Sequence, residues 1–318
     1  MKRLFLLLSL SCLCALDLHA EMEPDGTYLY AQKDGQDLYL DVYAPFPDSD
    51  TTVQIDSVTL VSKPAILFVF GGGFKEGSRD AAAYKPWFEA LCKDGYRVIS
   101  IDYRLGLKDV KKMGIAQRNL LDKAIHMAVE DLYSSVLFLR ENQAELGIDT
   151  DNLVLAGSSA GAITILQADY ERGNRTEYAA VLPEDFRFAG VMSFAGAIYS
   201  THGPVQYSHS APAPTLFMHG TADKLVNYDQ IVFFNIGWFG SSRLAERFGK
   251  LNYPYTFLRF KDHGHEIAVA MTYTLEIQKE FILTSVLKKV PRRLDILVDD
   301  PRIEAPEIWK KGPEELYK

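Results

Sequence analysis

The sequence predicts a mostly parallel, doubly wound α/β sheet with helices on both faces, and three observations predict it. Strand-like and helix-like runs alternate along most of the chain. The later strand-like runs are almost wholly apolar, as strands covered on both faces must be. The first two instead alternate polar and apolar residues, which suits an exposed antiparallel hairpin at a sheet edge. A chain of 318 residues, 47% hydrophobic and 24% charged, has ordinary globular composition and can bury one large core.

Residues 1–20 read as a secretory signal. Lys2 and Arg3 form a charged start, residues 4–15 an apolar run too short for a comfortable membrane span, and Leu18-His19-Ala20 a cleavage site before Glu21. The residues before Cys12 and Cys14 fit a lipid-attachment box poorly. Cleavage leaves Cys92 as the single cysteine, so no internal disulfide is expected despite an oxidising destination. The expected hairpin spans 27–32 and 37–43 with a Lys33-Asp34-Gly35 turn. Runs at 65–70, 97–101, 153–156, 188–194, 215–218 and 255–260 complete an eight-stranded sheet. Helical patterns occupy 80–93, 122–146, the segment after Ser159, 242–249 and 267–288; the longest places Ile125, Ala128, Val129, Leu132, Val136 and Leu139 on one face. Residues 196–213 read as a polar loop suited to a substrate rim. The aromatic cluster Phe233, Phe234, Trp238 and Phe239, with Ile231 and Ile236, reads as a buried element packed on the sheet. Residues 289–318, with Pro291, Pro301, Pro306 and Pro313 among charges, read as an extension lying on a domain that spans 21–288.

The run at 153–156 ends in Gly157-Ser158-Ser159-Ala160-Gly161 and a helix-compatible segment follows, the arrangement of a nucleophile elbow. Only Ser159 has glycine two residues away on both sides, which separates it from Ser158. A serine hydroxyl needs a base to take its proton, and the base needs an orienting carboxylate. Both should sit at C-terminal strand ends, where clefts form in such sheets. The run at 215–218 leads into His219-Gly220-Thr221-Ala222-Asp223, and 255–260 into Lys261-Asp262-His263-Gly264-His265. The chain order Ser159, Asp223, His265 is the order this architecture uses, with Asp229 and His263 as the rival acid and base. The run at 65–70 empties into Gly71-Gly72-Gly73-Phe74, where bare backbone N–H groups of Gly72 and Gly73, together with that of Ala160, can hold an oxyanion. His219 reads as a rim residue or a buried imidazole bonded to backbone. Asp102, Arg104 and Asp131 read as structural charges beneath the site.

A net charge of −8 argues against nucleic acid or an anionic membrane as partner. No Cys/His/Asp spacing suggests a metal, and the Gly71–Gly73 run lacks the Lys-Ser/Thr of a phosphate loop, so no cofactor is expected. No second apolar run reaches membrane length, and no pattern specifies an oligomeric state.

Phe70-Gly71-Gly72-Gly73-Phe74, Ser100-Ile101-Asp102-Tyr103-Arg104-Leu105, the elbow, the stretch 219–226 and Gly264-His265 together resemble the α/β-hydrolases of the carboxylesterase and hormone-sensitive-lipase-like group, near secreted bacterial esterases of plant polysaccharide esters. The resemblance covers about residues 60–290. It implies Ser159 as nucleophile, Asp223 as acid and His265 as base of a secreted serine esterase that forms an acyl-enzyme on small acyl esters of carbohydrates. Tyr103 and Tyr199 are then expected on the substrate pocket wall. Phe70 departs from the pattern, standing where the group usually has a histidine that braces the glycine loop. Two other readings use the same residues: a prolyl-oligopeptidase-like peptidase, and a degenerate hydrolase that only binds carbohydrate or a protein partner.

Overall fold

The computed structural model describes residues 22–110 and 118–312; the signal reading of residues 1–20, with Cys12 and Cys14, lies outside them. Nine strands form the central sheet: β1 (Gly26–Lys33), β2 (Gln36–Tyr43), β3 (Ala65–Val69), β4 (Arg97–Ile101), β5 (Leu153–Ser158), β6 (Gly190–Phe194), β7 (Thr215–Gly220), β8 (Tyr255–Phe260) and β9 (Arg293–Val298). Their order is β1-β2-β4-β3-β5-β6-β7-β8-β9. β2 pairs antiparallel with both β1 and β4, and every later pairing is parallel. The apolar runs are therefore central. Ile66, Leu67, Phe68, Val69, Leu153, Val154 and Leu155 are fully enclosed.

All eight expected runs lie in this sheet, and β9 is an addition to the expected count. It comes from the proline-flanked tail, pairs with β8 alone among the described residues and keeps most of its side chains exposed; its short apolar stretch, Ile296-Leu297-Val298, is set among charges and prolines and so reads as tail. A fork from Arg259 to Asp295 ties it to β8, with Nη2 to Oδ2 at 2.6 Å.

Helix α1 (Lys85–Lys93) starts on Pro86 and buries Trp87, Phe88, Leu91 and Cys92. Trp87 Nε1 donates to Gln278 Oε1 of α5 (Leu275–Phe281) at 2.8 Å, joining these helices on one face of the sheet. Further along the chain, α2 (Arg118–Glu141) turns inward the same six residues that its periodicity marks. Its Tyr133 hydroxyl donates to the Ala168 carbonyl of α3 (Ala160–Asn174) at 2.7 Å, on the other face. The short α4 (Ser241–Lys250) packs Leu244, Ala245 and Phe248 under β7 and β8. The helix expected over 267–288 is interrupted. A 3₁₀ turn, His265–Val269, comes first, and α5 starts six residues later before running into a π-helical turn, Ile282–Leu287. The break has two anchors: the Ala268 carbonyl accepts from Ser158 Oγ at 2.8 Å, and the Met271 carbonyl accepts from Gln278 Nε2 at 2.6 Å.

Two expectations between β6 and β8 need correction. The start of the supposed polar loop, Ala197–Ser200, is a buried strand that runs beside α3, with the Tyr199 N–H donating to Gln167 Oε1 at 3.1 Å. It forms the inner edge of a three-stranded antiparallel sheet with Ile236–Gly240 and Gln230–Phe233. The aromatic cluster is not a buried element either. Phe239 is 3% exposed, but Phe234 is 86% exposed at the hairpin tip, because among the described residues no further layer covers the outer strand.

Candidate active site

Three loops at the C-terminal ends of β5, β7 and β8 meet over the middle of the sheet. β5 ends in a turn that forces Ser159 to φ 51° and ψ −115°, a backbone conformation that L residues rarely adopt and that costs about 1–3 kcal/mol. The flanking glycines make the turn possible. A Cβ at Gly157 would lie 2.5 Å from the Gly161 carbonyl oxygen, and one at Gly161 would lie 2.0 Å from that of Val69. The Ser159 N–H is tied to the Phe194 carbonyl at 2.9 Å, which leaves the side chain projecting from the turn.

The Ser159 hydroxyl donates to His265 Nε2 at 2.8 Å, and His265 Nδ1–H donates to Asp223 Oδ2 at 2.7 Å. This tautomer is the one that satisfies both partners. Asp223 is almost completely buried, and its other oxygen accepts the N–H groups of Leu225 at 2.9 Å and Val226 at 3.1 Å. Burial works to raise its carboxyl pKa, but the hydrogen bonds from His219 and His265 outweigh that and hold it well below the usual carboxylate range. The acid therefore stays ionised and accepting while the imidazole changes charge.

His219 belongs to this network and is not a rim residue. It is 0% exposed; Nε2 lies 3.0 Å from the Val226 carbonyl and 3.2 Å from Asp223 Oδ2, while Nδ1 lies 2.8 Å from Ser241 Oγ. The rivals are engaged elsewhere. Ser158 donates its hydroxyl to the Ala268 carbonyl, His263 Nδ1 is 2.8 Å from Glu266 Oε1, and Asp229 is an exposed ion-pair partner of Arg243 at 3.3 Å.

The glycine loop after β3 lies against the elbow. A Cβ built on Gly71 would stand 3.2 Å from Ser159 Cβ. Gly72 and Gly73 have φ of 125° and 63°, and a Cβ at Gly72 would sit 2.0 Å from the Glu76 carbonyl oxygen. Among the described residues, the N–H groups of Gly72, Gly73 and Ala160 donate no intramolecular hydrogen bond. The brace expected of a histidine at position 70 comes from aromatic residues. Phe70 stacks on Tyr103 with ring centroids 4.5 Å apart, the Tyr103 hydroxyl donates to the Phe70 carbonyl at 3.1 Å, and the Gly71 N–H donates to the Tyr84 hydroxyl at 3.1 Å.

Tyr103 is therefore a strut behind the loop, not a pocket wall. It is 3% exposed and its hydroxyl is already used. Tyr199, also expected on the wall, is 8% exposed and packs against Trp238 with ring centroids 6.2 Å apart. Tyr84 went unread in the sequence because nothing local marks it; only the fold brings the start of α1 under Gly71. Asp102 pairs with Arg79 at 2.8 Å, and Arg104 holds the buried Asp131 with Nε at 3.0 Å, so both charges clamp the end of β4. Among the described residues no group of His, Cys, Asp or Glu could hold a metal ion, and no helix is long and apolar enough to cross a membrane.

An oriented hydroxyl–imidazole–carboxylate chain beside unspent N–H donors can activate an alcohol as nucleophile and stabilise the oxyanion that its attack creates. Comparison with known proteins agrees in part. A family model described as BD-FAE matches residues 53–198, which include the glycine loop and the elbow but neither Asp223 nor His265. Gut esterase 1 of Caenorhabditis briggsae is 30% identical over 104 residues, covering 33% of this chain and 18% of that protein. Mouse carboxylesterase 5A is 30% identical over 131 residues, 40% of this chain and 19% of that protein. Mouse neuroligin-2 is 29% identical over 149 residues, 42% and 16% respectively. These matches span less than a fifth of each relative's length. Among solved structures, esterase 2 of Thermogutta terrifontis superposes in its apo form with a TM-score of 0.58 at 22% identity, over 85% of this chain and 97% of that one. Its propionate-bound form gives 0.59 at 21% identity, over 81% and 93%. Sheet order, elbow and solved neighbours together establish that this chain has the α/β-hydrolase fold.

Proposed function

We propose that this chain is a serine carboxylic-ester hydrolase that works through an acyl-enzyme on small acyl esters of carbohydrates. The observation that carries the reading is the unbroken chain from Ser159 Oγ through the His265 ring to Asp223, at 2.8 and 2.7 Å. In the first half-reaction His265 Nε2 takes the Ser159 proton as Oγ attacks the ester carbonyl, and Asp223 stabilises the imidazolium. The N–H groups of Gly72, Gly73 and Ala160 receive the oxyanion; one such donor is typically worth about 3 kcal/mol in the transition state. His265 then returns the proton to the departing alcohol. Water, deprotonated by the same ring, frees the acid from Ser159.

Partial likeness to proteins named gut esterase and carboxylesterase, and to a solved esterase with propionate bound, supports ester chemistry with a short acyl group. The signal-like residues 1–20 support export, and the resemblance to secreted polysaccharide esterases supports a sugar alcohol. The test is hydrolysis of p-nitrophenyl acetate, acetylated xylosides, feruloyl esters and a matching p-nitroanilide. Ester cleavage should exceed anilide cleavage, and Ser159→Ala should lose about 10⁴-fold or more in kcat. Faster anilide cleavage would make the chain a peptidase. Full activity in Ser159→Ala would remove the mechanism.

A further inference from the structure

The tail beyond β9 returns to the active site. Residues 299–312 cross from the sheet edge, Ile303 packs against the core, and a 3₁₀ turn, Glu307–Lys310, lies against the His265–Val269 turn. The approach is close: a Cβ on Gly264, the residue before His265, would sit 2.1 Å from the Trp309 carbonyl oxygen. Only glycine at 264 lets the strap seat. The backbone of Trp309 is thus pinned, yet the residue is 41% exposed, with the indole centroid 6.5 Å from that of the His265 ring at an interplanar angle of 45°. Among the described residues the indole N–H has no hydrogen-bond acceptor.

An indole left open beside the general base has a definite position relative to the reaction. The leaving oxygen must come within about 3 Å of His265 Nε2 to receive its proton, whereas the acyl carbonyl is held at the glycine loop. Whatever hangs on the leaving oxygen therefore passes close to the His265 ring, and the Trp309 indole is an exposed aromatic surface 6.5 Å from that ring. A flat apolar face with a free N–H at its rim suits a six-membered ring that offers C–H groups from its face and hydroxyls from its edge.

We infer that Trp309 forms the wall of a subsite for the alcohol half of the ester, and that a pyranose ring stacks on its indole. This rests on the esterase reading above and narrows it, assigning sugar selectivity to the strap and not to the acyl pocket.

The test compares kcat/KM for a mono-acetylated methyl xyloside with that for ethyl acetate in wild type, Trp309→Ala, Trp309→Leu and Trp309→Phe. One aromatic stacking contact supports a fall of about tenfold in the sugar-to-ethyl ratio for the Ala and Leu variants, carried by KM, with most of it restored in Phe. Phenyl acetate is a third arm; a ratio that falls for phenyl but not for sugar assigns the subsite to aryl alcohols and overturns the pyranose assignment. Saturation-transfer NMR of methyl β-xylopyranoside on Ser159→Ala protein supplies a readout that needs no turnover, and Trp309→Ala in that background should abolish the signal. If the sugar binds and no ester is cleaved, the subsite stands and the esterase reading falls. An unchanged ratio with active enzyme, or sugar binding indifferent to Trp309, overturns the subsite alone.

Discussion

His219 supplies the second imidazole on Asp223, and removing it separates what holds the acid from what holds the fold. The bond to Oδ2 is charge-assisted because Asp223 is ionised, but at 3.2 Å and shared with the Val226 carbonyl at 3.0 Å it belongs at the weak end of such bonds. Its loss from Asp223 is then worth about 1.5 kcal/mol, and a Val226 carbonyl left buried without a partner adds about 1–3 kcal/mol of instability. Asp223 would keep its N–H donors from Leu225 and Val226 and the bond from His265, so it remains buried, ionised and partly oriented. His219→Ala should therefore lower kcat about tenfold, since 1.4 kcal/mol is one decade, while KM hardly moves. The same change should lower Tm by roughly 4–8 °C, from about 2.5–4.5 kcal/mol in a domain of this size.

Gln at 219 can donate to the same oxygens, and His219→Gln should recover most of kcat even where Tm stays low. Steady-state kinetics on p-nitrophenyl acetate, beside a thermal melt of the same preparations, measures both. A lowered Tm with kcat untouched in His219→Ala would refute the reasoning: the backbone donors alone would then orient the acid, and His219 would be packing.

Other consequences follow from strain, bracing and burial. Ser159→Gly removes the left-handed strain at φ 51° as well as the nucleophile, so it should abolish turnover yet raise stability, by up to about 1–3 kcal/mol in a denaturant titration; loss of stability would show the turn to be relaxed. Tyr84→Phe removes the acceptor of the Gly71 N–H, and leaving that buried donor unpaired should cost about 1–3 kcal/mol. Because Gly71 abuts Ser159, kcat should fall more than KM rises; a pure stability loss would mean the loop needs no brace. Burial pushes the Asp169 carboxyl up to about 7, far above its unfolded value. The native state then binds more protons at this site than the unfolded one between about pH 4 and 7, so the contribution of Asp169 to stability should fall as pH rises through that window and level off above it. Asp169→Asn should flatten that slope in melts taken from pH 4 to 8, and an unaltered slope would place the titration elsewhere.

What a sequence can show here depends on whether its signal is local. β3 and β5–β8 are readable because a strand covered on both faces must be apolar throughout, and that requirement is written in consecutive residues. β9 faces no such requirement at the edge, so its charged residues and neighbouring prolines disguise it as a tail. The nucleophile turn is readable for the same reason as the central strands: steric collisions with Val69 and Gly161 impose glycine at fixed spacing. Choosing among neighbours is harder. Ser158 and Ser159 differ by one position, and so does the direction of their hydroxyls, one toward Ala268 and the other toward His265. The contacts of Tyr84, His219 and Trp309 are set by where other segments end up, and no periodicity announces a side chain whose partner lies across the sheet. Phe70 shows why matching motifs residue by residue has a physical limit. A pattern that expects an imidazole there registers a defect, whereas the loop needs only that its carbonyls and N–H groups be held, and here Tyr103 and Tyr84 hold them. Support for a reactive loop can therefore change residue type and place in the chain, provided the atoms it fixes stay fixed.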